Sequence, residues 1–408
     1  MTSQTDGATC AKKRLHPLTS LRFFAAALIV FYHCGNTAFE TSPPWFRCLL
    51  QNGYQAVTFF FVLSGFILVY TYCQGDRQDV SRRMPVRFWI ARFARIYPSY
   101  LLALAISLPA LIYYAFFKNT ISQASFAATL VFVPVLLQAW LPPVAGAWNG
   151  PAWALSVEAC FYLCFPALTR ALKSKSPLCL LCSSMALVAA VQLIRLFIFP
   201  LPEWDLRPND PSSLHSFFAY FPLFHLPTFI FGMALGRVLL SLPTGYRLPF
   251  RNILQLSSLC LLLGLFFNHG RIAPVLLSDI VMAPLFGAIV LSSAIEGGLL
   301  NRLLSHSFLV ELGQTSYAMY IFHIPLMWWA TRLRGLVPLF DGKNDLAFFW
   351  CYFAALIFIC TLVFRYYEEP VRKWILVHTT AKLTNGGHLI LAASDFSRGA
   401  LKDNSTAI

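Results

Sequence analysis

Arg22 and His33 stand eleven residues apart inside one apolar run. At about 3.6 residues per turn, that spacing closes roughly three turns. Both side chains therefore project from one face of a helix, about 16 Å apart along its axis. A charged or titratable group at membrane depth is costly and marks a functional site by default. An imidazole exchanges protons near neutral pH and can take the proton from an attacking hydroxyl in an enclosed cleft. The plainer reading has Arg22 snorkelling to the rim and His33 closing a helix end. Glu158 lies in Trp153-Ala154-Leu155-Ser156-Val157-Glu158, just inside another apolar run. A carboxylate there either pairs with a cation or orients a histidine. Arg92 and Arg95 are three apart, on one helix face, with Arg87 further back. Their guanidinium forks match phosphate oxygens, or simply set the orientation of the chain. Arg195, His225, Asp279, Glu311, His323 and Arg365 also fall within apolar runs. Of these, His225 and Asp279 have no neighbouring motif and read as packing or helix-pairing residues.

The elements that position these groups follow from composition. The chain has 408 residues, 58% hydrophobic and 12% charged, against about 25% charged in an average soluble domain. Such a chain needs the bilayer as part of its solvent. The reading is an all-α polytopic membrane protein of about ten transmembrane helices, at 17–34, 54–73, 95–117, 151–169, 177–199, 216–240, 253–268, 273–295, 309–331 and 347–367. The run 127–141 ends at Pro142-Pro143 and is short for a span of about 20 residues, so it reads as a re-entrant or interfacial helix. The domains expected are an N-terminal segment 1–14, a membrane domain 15–374 and a flexible tail 375–408.

The net charge of +14 excludes little by itself. Its basic residues sit in short loops beside apolar runs, which argues for topology rather than nucleic acid. Lys12, Lys13 and Arg14, then Arg77, Arg82, Arg83, Arg87, Arg92 and Arg95, place the N-terminus and the second loop on the cytoplasmic side of the cell membrane. Both termini are then cytoplasmic. Arg332 and Arg334 are the exception, partly offset by Asp341 and Asp345. The 11 cysteines lie mostly in apolar runs and read as small packing residues, and no metal site is expected.

Six fragments in order resemble the acyltransferase-3 family. Arg22 through His33 is similar to its R-x10-H element. Gly53-Tyr54-Gln55-Ala56-Val57 leads into Phe59 to Phe66, similar to its second-span signature. Arg92-Phe93-Ala94-Arg95-Ile96-Tyr97-Pro98 resembles R-x-x-R-I-Y-P. Trp153 to Glu158 with Phe161-Tyr162 resembles W-S-L-S-x-E-x-x-F-Y. Gly313, Ser316-Tyr317, Tyr320, His323 and Pro325 resemble G-x-x-S-Y-x-x-Y-x-x-H-x-P, and Glu368-Glu369-Pro370 resembles a closing E-R-P. Thr19-Ser20, Ala154 and Glu369 depart from the usual residues.

The resemblance implies an O-acyltransferase with acyl-CoA, most often acetyl-CoA, as donor substrate and no bound cofactor. The acceptor implied is a hydroxyl of a sugar in a surface polysaccharide or lipid-linked precursor. Arg22, Arg92 and Arg95 would hold the donor phosphates, His33 would act as general base, and Glu158 would orient or stabilise the charged His33. Trp153, Ser156, Tyr317 and His323 would be polar groups of the pocket. The partners expected are acyl-CoA, a carbohydrate and the lipid bilayer, without nucleic acid. Competing readings are a transporter of an anionic lipid or sugar, although no inverted repeat is seen, and a non-catalytic sensor or scaffold.

Overall fold

A computed structural model describes residues 14–73, 85–198, 214–243, 245–246, 248–336 and 345–385. The described residues form helices and turns, with no strand. In chain order the helices are α1 (His16–Cys34), α2 (Pro44–Gln51), α3 (Ala56–Tyr72), α4 (Pro85–Ile112), α5 (Gln123–Phe132), α6 (Trp153–Leu172), α7 (Pro177–Ile198), α8 (Leu214–Tyr220), α9 (Pro222–Ser241), α10 (Arg251–Phe267), α11 (Asp279–Ala294), α12 (Leu299–Leu304), α13 (Ser307–Gln314), α14 (Ser316–Arg334), α15 (Asp345–Val363) and α16 (Glu369–Asn385). Several open on proline in the first turn, among them α1, α2 and α9, where the missing N–H goes unmissed.

Among the described residues, eight helical segments are long and apolar enough to cross a membrane. Their outward faces keep large apolar side chains in the open, such as Phe197 at 91% exposure, as a lipid-facing surface requires. Two other expected spans take different forms. The stretch 253–268 is α10, with 17 residues. The stretch 309–331 is broken at Thr315 into α13 and α14. The run 127–141 holds the later part of the ten-residue α5 followed by short turns, and a helix of ten residues rises about 15 Å, half a bilayer core of about 30 Å.

Two boundaries differ from expectation. Arg87, Arg92 and Arg95 all lie on α4, which starts at Pro85 rather than near residue 95. The tail expected to be flexible from residue 375 begins as helix, since α16 continues to Asn385. Lys12, Lys13, Arg77, Arg82, Arg83 and Asp341 lie outside the described residues.

Close backbone approach sets the register of the bundle. A Cβ on Gly65 of α3 would sit 2.1 Å from the Phe229 carbonyl oxygen of α9, and one on Gly232 of α9 would sit 2.1 Å from that of Val62. Only small residues allow helix backbones this near. Gly313 does the same at α1, where a Cβ would fall 2.0 Å from the Thr19 carbonyl oxygen.

Prolines inside helices free carbonyls that must find other donors. Pro166 leaves the Tyr162 carbonyl, which accepts from the Trp89 indole N–H at 3.0 Å. Pro325 leaves the Ile321 carbonyl, which accepts from the Asn149 amide at 2.9 Å. Both prolines lie beside residues of the site described next.

Candidate active site

Helix α1 is unbroken, so Arg22 and His33 keep the common face that their spacing demands. They open on two cavities. One, of about 100 Å³, is lined by Arg22, Ser64, Arg92, Arg95, Glu158 and Tyr317 among others. The other, of about 180 Å³, is lined by His33, Trp153, Arg195, His225 and Asp279 among others. Val57, Phe61 and Tyr320 belong to both linings, so the cavities abut there.

In the arginine cavity the cations differ in freedom. Arg22 has no hydrogen bond or ion pair to any other described residue, as α1 carries it into the cavity. Arg92 is packed by aromatic rings, with its guanidinium 5.7 Å from the Tyr72 ring centroid, 5.9 Å from that of Tyr162, and a hydrogen bond to the Tyr72 hydroxyl at 3.3 Å. Arg95 is bound in an ion pair with Glu368, the first residue of the closing Glu-Glu-Pro, and Ser99 donates to the same carboxylate at 3.2 Å. Its guanidinium also faces the Tyr317 ring, 5.7 Å away. The Tyr317 hydroxyl is spent on the Ile96 carbonyl at 2.6 Å, so this residue offers the cavity its ring.

Glu158 does not meet His33. Its carboxylate accepts from the Tyr162 hydroxyl at 2.5 Å and the Ser64 hydroxyl at 3.2 Å, within the arginine cavity. The helical direction explains this: Glu158 is over a turn beyond Trp153 along α6, and Trp153 already belongs to the other cavity. Ser156 is not a pocket group either. It is buried, donating to the Leu136 carbonyl at 2.6 Å and accepting from the Ala139 N–H at 3.3 Å, so it ties the turns after α5 to α6.

The partner of His33 is His323. His323 is fully buried on α14, and its Nδ1 lies 2.7 Å from the Tyr320 carbonyl oxygen. A carbonyl only accepts, so that nitrogen carries the proton. The Nε2 of neutral His323 is then an acceptor, 3.2 Å from His33 Nδ1. The second neighbour of His33 Nδ1 is the Ile29 carbonyl oxygen at 3.1 Å, also an acceptor. The His33 proton is thereby held on Nδ1, and the lone pair falls on Nε2. No described group bonds to that nitrogen, and the side chain is exposed at the cavity. This is the tautomer a general base requires.

Arg195, His225 and Asp279 enlarge the histidine cavity, where the sequence offered only packing roles for the latter two. Asp279, at the start of α11, accepts from Thr58 at 2.8 Å and Thr228 at 3.2 Å. His225 sits 5.4 Å from the Trp153 ring and 5.2 Å from Phe61, its Nε2 on the Ala219 carbonyl at 2.9 Å. Their shared signal is an ionisable group at a helix end, in the last turn of α7 and the first turns of α9 and α11, which becomes legible only once those three ends are known to meet on one side.

Comparison with known proteins points to one family. The acyltransferase-domain model of the acyltransferase-3 family matches residues 16–365. The chain is 30% identical over 335 residues to the acyltransferase MdmB of Streptomyces mycarofaciens, covering 79% of this chain and 81% of that one. It is 21% identical over 379 residues to the peptidoglycan O-acetyltransferase OatA of Listeria monocytogenes, covering 89% of this chain and 56% of that protein. A shorter match, 39% over 89 residues, joins it to protein 2 in the picA locus of Rhizobium radiobacter, over 22% of this chain and 41% of that one. No solved structure matches. The chain is thus a multi-pass membrane acyltransferase, and it belongs to the acyltransferase-3 family.

Proposed function

We propose that this membrane acyltransferase moves an acyl group from acyl-CoA to a hydroxyl of a sugar in a surface polysaccharide or lipid-linked precursor, with His33 as general base. The observation that carries the reading is His33 itself, its proton held on Nδ1 by two acceptors and its Nε2 open to the cavity. The donor would enter at the arginine cavity. Arg22 and Arg92 line it with guanidinium groups, and forked donors suit phosphate oxygens. Arg95 contributes less, because Glu368 already takes part of its charge.

The thioester then reaches the junction at Val57, Phe61 and Tyr320. The acceptor hydroxyl gives its proton to His33 Nε2 as its oxygen bonds to the acyl carbon. The carbon–sulfur bond breaks, and the thiolate takes the proton back from the imidazolium to leave as free thiol. Glu158 is too far along α6 to touch His33. Its place beside Arg22, Arg92 and Tyr162 supports a role in fixing the polarity of the donor end.

The test is mass spectrometry of surface glycans from cells with and without the protein. One ester mass is expected to disappear when the protein is absent. His33→Ala at equal expression is expected to lower transfer by about 10²- to 10⁴-fold, the usual contribution of a general base. Near-normal ester content with His33→Ala would remove the assignment.

A further inference from the structure

The histidine cavity holds polar groups that proton transfer at His33 does not use. Arg195 and Gln192 lie three residues apart on α7, 7% and 4% exposed. Both line this cavity. The Arg195 Nε and the Gln192 Oε1 are buried with no hydrogen-bond partner. Buried polar groups are almost always paired, and an orphaned one calls for an explanation. Here one orphan is a donor, the other an acceptor, and they are neighbours on one helix face.

A hydroxyl group both donates and accepts, and vicinal hydroxyls present the two functions side by side. Asp279, on the same cavity, brings the charge opposite to that of Arg195. The site is therefore polar without an excess of one sign, which favours a neutral ligand over an anion. Trp153, Tyr220 and Tyr320 supply flat apolar surface around these groups. Apolar walls with a few convergent polar groups are the usual make-up of a small-molecule site.

We propose that Arg195 and Gln192 are the acceptor-recognising residues, and that they bind a neutral, polyhydroxylated ring so that one of its hydroxyls reaches His33. The proposal rests on the acyl-transfer reading above and adds the residues and the chemistry that select the acceptor. Arg195 holds ring hydroxyls or ring oxygen as a donor, and Gln192 accepts from the neighbouring hydroxyl. Neither residue touches the reacting carbonyl.

The test uses the purified full chain in detergent, with tryptophan fluorescence as the readout and Trp153→Phe to assign the signal. The probes are methyl glucoside and methyl N-acetylglucosaminide, with cyclohexanol as a ring lacking the extra hydroxyls. A saturable change with at least one glycoside and none with cyclohexanol is expected. Arg195→Leu and Gln192→Leu should each weaken that binding at least tenfold, and Arg195→Lys should weaken it less. Melting temperature should stay level or rise in Gln192→Leu, whose orphaned Oε1 has no protein partner to lose, whereas Arg195→Leu also removes the charge opposite to Asp279. No saturable response to either glycoside, equal binding in both leucine variants, or a lowered melting temperature in Gln192→Leu would overturn the proposal. His33→Ala separates it from the acyl-transfer reading. That variant should still bind the glycoside while losing transfer, and retained transfer would count against the base alone.

Discussion

A base is only as good as the group that holds its proton in place, and for His33 that group is His323. Replacing His323 with Phe keeps the ring volume and removes the acceptor. The lost hydrogen bond is worth about 1–3 kcal/mol, roughly a 5- to 150-fold fall in turnover. Donor affinity should not change, and His323→Gln should recover part of the rate. Steady-state kinetics that showed a higher KM with unaltered kcat would contradict the positioning role. Arg95 is a second residue whose partner decides its part. Its side chain is 9% exposed and that of Glu368 is 0%, so Arg95→Ala strands a buried carboxylate, a loss of about 3–5 kcal/mol. Thermal denaturation should show that loss, and Arg95→Met with Glu368→Met should regain most of it. The sequence disclosed Arg22 and His33 because one helix carries both. It could not disclose the His33–His323 contact, whose residues lie 290 positions apart. It misassigned Glu158, although Tyr162 stands one turn onward on the same face and is its partner.

At the scale of elements, the site depends on where helices are allowed to touch. Helices α3 and α9 meet at Gly65 and Gly232, and α3 delivers Val57, Phe61 and Ser64 to the two cavities. With Gly65→Ala, the new methyl would meet the Phe229 carbonyl oxygen at 2.1 Å and the Met233 nitrogen at 2.8 Å. Both are backbone atoms within a helix, so the helices must part. Overpacking of this kind costs about 1–3 kcal/mol, and denaturation in detergent should register it alongside reduced transfer. An unchanged midpoint would mean that α9 moves freely against α3. The motif stretches acquire physical meaning at this scale. Gly313 lets α13 lie on α1, Pro166 and Pro325 free carbonyls taken by Trp89 and Asn149, and Glu368 sits in a π-helical turn that brings it to Arg95. Hydropathy marked where these helices run but was silent on the break at Thr315, because the apolar character continues across it.

Over the whole molecule, charge is divided between the two ends. The end that holds Arg22 also carries Arg87, Arg170, Lys173, Lys175, Arg237 and Arg372, since α3, α6 and α9 finish there and α4, α7 and α14 start there. Among the described residues, the end that holds His33 has fewer cations, and two of them are occupied. Arg334 is paired with Asp345 at 2.6 Å, and Arg332 lies over the Trp328 ring at 3.3 Å. Those two were the exception to the charge rule in the sequence, and their partners explain why they do not reverse it. Basic residues beside spans favour the cytoplasm, so the arginine cavity should face the compartment that contains acyl-CoA. The check is a cysteine at Lys175, in the turn between α6 and α7, and another at Thr37, between α1 and α2, in a chain whose native cysteines are alanine. A membrane-impermeant maleimide should label Thr37→Cys in intact cells and Lys175→Cys only after the membrane is opened. The reverse pattern would put the donor arginines outside the cell, where acyl-CoA does not supply them, and the acyl-CoA reading would fall even if His33 proved essential.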